Sequence, residues 1–151
     1  MIERVLMVCL GNICRSPMAA VILAKRFANW GVPRAVVESA GITAMVGHPA
    51  DPQAVEIMGE RGLDLAPHRA RQLTPELARS FELILVMEAS QQRAVEAIDR
   101  SARGRVHRVG RMGGFDVSDP YRRGRAAFEQ AATLIDRGLD ELERIFWSER
   151  R

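Results

Sequence analysis

RVLMVCLGNICRSP, residues 4–17, carries three structural signals in succession. Residues 4–8 (RVLMV) are a short apolar run of the kind that a strand buried on both faces requires. Residues 9–15 hold two cysteines, a glycine, an asparagine and an arginine, a composition suited to a loop. Ser16 and Pro17 then announce a helix, with the serine as N-cap and the proline at the first helical position. Apolar Ala20, Leu23, Phe27 and Trp30 mark its inner face, and Gly31 is its stop. A strand that passes through a tight loop into a helix is the opening unit of an α/β fold.

The rest of the chain repeats this alternation. Residues 35–40 (AVVESA) read as a second strand, and Asp51 opens a helix that runs to about residue 61 and ends at Gly62. Residues 82–87 (ELILVM) are the clearest buried strand and precede a helix over 90–100. Residues 105–109 (RVHRV) make a weaker fourth strand. A long amphipathic helix follows, with Phe128, Ala131, Ile135, Leu139, Leu142 and Phe146 on one face. The predicted fold is α/β, a doubly wound three-layer sandwich around a four-stranded parallel sheet, with residues 1–151 as a single domain. Such sheets bind ligands beyond the carboxyl ends of their strands, where strand order reverses, and the loop after the first strand lies there.

Composition narrows the function classes. With 47% hydrophobic and 27% charged residues the chain is globular in type, and no run approaches the ~20 apolar residues of a membrane helix. The start, MIERVLMVC, lacks the layout of a secretory signal, so a cytoplasmic location without membrane insertion is predicted. Two cysteines, Cys9 and Cys14, do not make a disulfide framework. Net charge is +3 and Lys25 is the only lysine, so arginine supplies the positive charge. Arg100, Arg103, Arg105, Arg108 and Arg111 form a loose basic run, either a solvated surface or an attraction for an anionic partner. No aromatic residues interleave with them, which argues against nucleic acid. His48, His68 and His107 show no metal-ligand spacing, and the nucleotide pattern GxxxxGK[ST] is absent. No metal or cofactor is expected.

The spacing C-x5-R, from Cys9 to Arg15, has a chemistry of its own. A loop entering a helix N-terminus can turn successive backbone N–H groups inward as an anion cradle. Gly11 and Asn12 tolerate the backbone this needs, and Arg15 offers a planar fork matched to two phosphate oxygens. Cys9 would lie beneath the anion. The helix dipole, the amides and Arg15 favour its thiolate, which in a free cysteine is only ~3% of the population near neutrality. Ser16 can donate a hydrogen bond to the sulfur. These features read as a covalent phosphoryl-transfer site.

In CLGNICRSP at 9–17 and DPY at 119–121 the sequence resembles the low-molecular-weight protein tyrosine phosphatases. ESAG at 38–41, ADP at 50–52 and HRARQL at 68–73 look like the bacterial branch that accompanies exopolysaccharide tyrosine kinases. The resemblance implies that Cys9, Arg15 and Asp119 are catalytic, with Asp119 as general acid. It also implies that Leu10, Gly11, Asn12, Ile13, Cys14, Ser16 and Tyr121 bind substrate. Asn12, Ser16, Ser39 and His68 would hold the loop in shape. The implied substrate is phosphotyrosine in a protein, here an autophosphorylated bacterial tyrosine kinase, with phosphate or other oxyanions also bound by the loop. Arg122 and the segment 42–47 (ITAMVG) depart from animal members, which carry large aromatics there.

Cys14 is open to two compatible roles, an apolar filler under the loop or a trap for the sulfenic acid of an oxidised Cys9. Three other functions are conceivable on the same loop. A thioredoxin-coupled arsenate reductase needs two further cysteines downstream, and none follows Cys14. Phosphoarginine hydrolases of this type carry threonine where Ile13 stands. A phosphate-binding module would not turn over an aryl phosphate.

Overall fold

The computed structural model describes residues 1–149. Four strands, β1 (Arg4–Cys9), β2 (Val36–Gly41), β3 (Leu83–Val86) and β4 (Val106–Arg108), form one sheet in the order β2-β1-β3-β4. Every neighbouring pair is parallel, with Met7 opposite both Ser39 and Leu85. The helices are α1 (Arg15–Asn29), α2 (Pro52–Glu60), α3 (Pro75–Arg79), α4 (Ala89–Ile98) and α5 (Arg125–Phe146).

The continuous apolar runs of β1 and β3 are explained by cover on both faces. Val5, Met7, Cys9 and Leu85 point into a core shared with α1, α2 and α5, whereas Leu6, Val8, Ile84 and Val86 point into a second core closed by α3 and α4. Each such side chain contributes roughly 1.5–3 kcal/mol through burial. The Trp147 indole N–H donates to the carbonyl of Ile2 at 3.0 Å, tying the end of α5 to the start of β1. From β1 the chain steps outward to β2, then crosses back over β1 to β3. Strand order therefore reverses between β1 and β3. The loops leaving their carboxyl ends, after Cys9 and after Val86, flank one crevice.

The expected α/β sandwich on a four-stranded parallel sheet is the observed architecture. Three local expectations need correction. Ser16 is not the N-cap of α1: Cys14 holds that position without a side-chain cap bond, and Ser16 lies inside the helix. Its hydroxyl is engaged by Cys9 and Asn12, so it is unavailable to cap. The helix expected over 90–100 begins at Ala89 and stops at Ile98, with a 3-10 turn over Arg100–Ala102. Helix α3 was not expected, although Thr74 accepts from the Leu77 amide at 3.1 Å and Pro75 fills the first turn.

Candidate active site

The loop leaving β1 is turned inside out by its surroundings. The carbonyl of Cys9 accepts from the Ile42 amide, that of Leu10 from Thr43, and that of Gly11 from Met45. The Asn12 carbonyl accepts from His68 Nε2 at 2.7 Å, so His68 is the tautomer protonated at that nitrogen. The Ile13 carbonyl accepts from Asp51 N, and the Cys14 carbonyl from Met18 N. Each peptide N–H points opposite to the carbonyl in its plane. With six successive carbonyls held outward, the amides of residues 10–15 face one centre, a concave row of donors at the amino end of α1.

The turn itself falls at Asn12, not Gly11. Asn12 has φ +61° and is fully buried, while Gly11 is absent from the left-handed region and a Cβ there would make only ordinary contacts, the nearest Met45 Cγ at 3.8 Å. Asn12 holds this conformation because its side chain is saturated. Nδ2 donates to Ser16 Oγ at 2.8 Å and to Ser39 Oγ at 3.0 Å, and Oδ1 accepts from Arg71 N at 2.9 Å. Since Ser16 Oγ accepts from Asn12, its own proton is available to Cys9 Sγ, 2.9 Å away. Gly41 is the glycine this packing requires: a Cβ there would stand 2.7 Å from the Leu10 carbonyl oxygen and 3.0 Å from Asn12 Cβ.

Arg15 is almost completely buried. Its Nη1 donates to Glu88 Oε2 at 2.5 Å and to the Val117 carbonyl at 2.9 Å. Nη2 lies 3.8 Å from Asp119 Oδ2. Glu88, at the carboxyl end of β3, is itself held by Gln91, whose Oε1 accepts from the Met87 and Glu88 amides and whose Nε2 donates to Glu88 Oε2. Asp119 is fixed at one oxygen only: Oδ1 accepts from Tyr121 N at 3.1 Å, leaving Oδ2 toward the crevice. Cys9, Leu10, Gly11, Ile13, Cys14, Arg15, Thr43, Met45, Asp119 and Tyr121 line a cavity of ≈ 230 Å³. It offers a donor-rich floor with a sulfur, apolar walls and one carboxylate at the side. Such a space suits an oxyanion carried on a flat apolar group.

Residues 4–149 match the model of the low molecular weight phosphotyrosine protein phosphatases. The chain belongs to this family. Among relatives, a probable low molecular weight protein-tyrosine-phosphatase EpsP of Ralstonia solanacearum is 49% identical over 140 residues, covering 93% of each chain. Wzb of Vibrio vulnificus, solved in complex with benzylphosphonate, superposes with a TM-score of 0.88 at 36% identity, over 97% of this chain and 100% of that one. The arginine phosphatase YwlE reaches the same TM-score at 28% identity, covering 97% of each chain, so this architecture alone does not choose the phosphorylated residue.

The phosphatase site gathers every residue expected from the sequence. Cys9, Leu10, Gly11, Ile13, Cys14, Arg15, Asp119 and Tyr121 line the cavity, whereas Asn12 and Ser16, expected on the substrate-binding surface, lie off its lining and form the network behind it with Ser39 and the half-buried His68. Burial pushes the Cys14 thiol well above the usual cysteine range, helped by the negative charges of Asp51, Asp119 and Cys9, so Cys14 is a neutral wall. Burial also lowers the pKa of His68, and Arg69 and Arg71 lower it further against the opposing pull of the Asn12 carbonyl. Glu88, Gln91 and Asp51 were missed. Glu88 binds Arg15 and is held by Gln91, while the Asp51 amide binds the Ile13 carbonyl; Glu88 and Gln91 lie in no marked motif, and ADP at 50–52 gave no sign of the backbone contact. The basic run 100–111 disperses in space: Arg105 binds the Ala78 and Phe81 carbonyls, Arg108 pairs with Asp116, and Arg111 bonds His107. Among the described residues, no group of three or more His, Cys, Asp or Glu side chains could hold a metal, and no helix is long and apolar enough to cross a membrane.

Proposed function

We propose that this low molecular weight protein-tyrosine-phosphatase hydrolyses phosphotyrosine through a cysteinyl-phosphate intermediate, with residues 1–151 acting as one domain in the cytoplasm. Cys9 Sγ attacks phosphorus, the S–P bond forms, and the P–O bond to the tyrosyl oxygen breaks. Asp119 Oδ2 gives its proton to the departing phenolate, whose conjugate acid has a pKa of ~10. The resulting carboxylate then takes a proton from water, which attacks the phosphocysteine and releases phosphate and the Cys9 thiolate. The Ser16 hydroxyl stabilises that thiolate through its hydrogen bond to Sγ. The amides of residues 10–15 and Arg15 hold the equatorial oxygens through both steps, where preorganised donors are most effective. Leu10, Ile13 and Tyr121 clasp the aryl ring, whose depth favours phosphotyrosine over the shorter phosphoserine. Its physiological substrate is an autophosphorylated bacterial tyrosine kinase tied to exopolysaccharide production, a reading supported by the motif resemblance at 38–41, 50–52 and 68–73.

The arrangement that carries this assignment is Cys9 Sγ at the floor of an inward-facing amide row, with Arg15 beside it and Asp119 Oδ2 at 3.8 Å from the guanidinium. A general acid matters in proportion to how much the leaving group needs a proton. Asp119→Asn therefore lowers kcat/KM for phosphotyrosine peptides, which reports the leaving-group step and not the later hydrolysis of the phosphocysteine, by ~10²-fold or more. The loss is clearly smaller for an aryl phosphate whose leaving group is already a stable anion. Equal losses on the two substrates would remove Asp119 from the acid role, and equal rates of the intact enzyme on phosphotyrosine and phosphoserine peptides would remove the tyrosine assignment.

A further inference from the structure

The mouth of the cavity is asymmetric. On one side stand Leu10, exposed to 48%, and Met45, which is followed in the chain by Val46, exposed to 65%. On the other, Tyr121 carries the guanidinium of Arg122 at 5.2 Å from its ring centroid. Arg122 has φ +61°, a left-handed backbone that glycine or asparagine would adopt at less cost. An exposed cation–π contact recovers no more than such a backbone loses, so the pair is not explained by folding stability.

Nor is the charge of Arg122 used within the fold. Among the described residues neither Arg122 nor Arg123 forms an ion pair, whereas Arg125, two residues on, is taken up by Glu56, Glu60 and Glu129. Arg123 lines a second depression of ≈ 360 Å³ with Ser118, Asp119, Pro120 and Gln130, and Asp119 lines the cavity as well. A polypeptide whose phosphotyrosine fills the ≈ 230 Å³ cavity leaves its neighbouring residues on this rim. Those on the Tyr121 side meet two cations with no carboxylate partner.

We infer that Arg122, backed by Arg123, is a specificity-determining residue that recognises an anionic group next to the phosphotyrosine. This rests on the phosphotyrosine reading above. Recognition is charge-assisted hydrogen bonding from a guanidinium already oriented by the ring, so it adds to affinity without ordering a free side chain. Two sources carry the same chemistry, a glutamate or aspartate carboxylate and a second phosphotyrosine.

The experiment compares kcat/KM at low and raised ionic strength on four phosphotyrosine peptides, with glutamate, glutamine, a second phosphotyrosine or tyrosine at the flanking positions. The intact enzyme prefers an anionic flank about fivefold at low salt, and the preference shrinks as salt is added. Arg122→Asn, which suits the left-handed backbone, brings the ratio close to one with an unchanged thermal midpoint, and Arg122→Lys restores most of it. A preference for glutamate alone or for the second phosphotyrosine alone, lost in Arg122→Asn, supports the inference and assigns the source. Equal rates on all four peptides, or a preference that survives Arg122→Asn, overturns it while leaving the phosphotyrosine reading intact. Failure to turn over any of the four overturns both.

Discussion

Replacing Asn12 with alanine removes three bonds and strains the backbone at once. The side chain gives up its donations to Ser16 Oγ and Ser39 Oγ and its acceptance from Arg71 N. At about 1 kcal/mol net for each bond, the side chain is responsible for ~3 kcal/mol. Alanine at φ +61° costs ~1–2 kcal/mol more, a penalty that glycine does not incur. Asn12→Ala is therefore destabilised by roughly 4–5 kcal/mol and Asn12→Gly by roughly 3 kcal/mol, out of the 5–15 kcal/mol typical of a domain. Urea unfolding of the three proteins reads both values. The same change frees the loop and removes the donor to Ser16 Oγ that leaves the Ser16 proton directed to Cys9. With the donors displaced, kcat/KM on a small aryl phosphate falls ~10²-fold. Variants within ~0.5 kcal/mol of the parent would refute the network's role, and an alanine variant as stable as the glycine variant would refute the backbone strain.

In the unfolded chain His68 titrates near pH ~6.5, whereas burial lowers its pKa in the folded protein. Its contribution to stability is therefore complete above about pH 6.5 and is lost as the pH falls toward the lower folded value. Urea midpoints of the parent drop between about pH 7.5 and about pH 5 by more than those of His68→Gln, and identical slopes would exclude the effect. Because the Cys14 thiol is pushed far up, iodoacetate near neutral pH labels Cys9 and spares Cys14, and phosphate protects Cys9. Equal labelling of both thiols would contradict the neutral-wall assignment. After mild peroxide, recovery by thiol reductant in the parent but not in Cys14→Ser would establish the sulfenic-acid trap, and equal recovery would leave Cys14 as filler.

How far the site can be read from sequence depends on how its parts are connected. β1, its loop and α1 are contiguous, so apolar run, C-x5-R and Ser-Pro announce them together. The outer shell is non-local. Glu88 reaches Arg15 across 73 residues and the Val117 carbonyl across 102, with no periodicity or spacing to mark them. Likewise the backbone amides of Ile42, Thr43, Met45 and Asp51, which turn the loop carbonyls outward, carry no side-chain signature. Misreadings came from residues with two competing uses. Ser16 before Pro17 has the composition of a cap, but its hydroxyl is consumed by Cys9 and Asn12. The left-handed turn, by contrast, was read onto Gly11 and Asn12 together, and it falls on Asn12 because buried partners satisfy its amide. Helix α3 was legible in Thr74, Pro75 and Glu76, but five residues are too few to show a helical period.

The most direct test of the central claim is to trap the phosphoenzyme. In Asp119→Asn, water attack on the phosphocysteine lacks its base, so the intermediate accumulates on an aryl phosphate with a good leaving group. Acid quenching followed by peptide mass mapping should find one phosphoryl group, on Cys9, with release of one equivalent of phenol before the slow steady state. Absence of a phosphopeptide despite continued turnover, or a phosphoryl group on any residue other than Cys9, would contradict covalent catalysis by this loop.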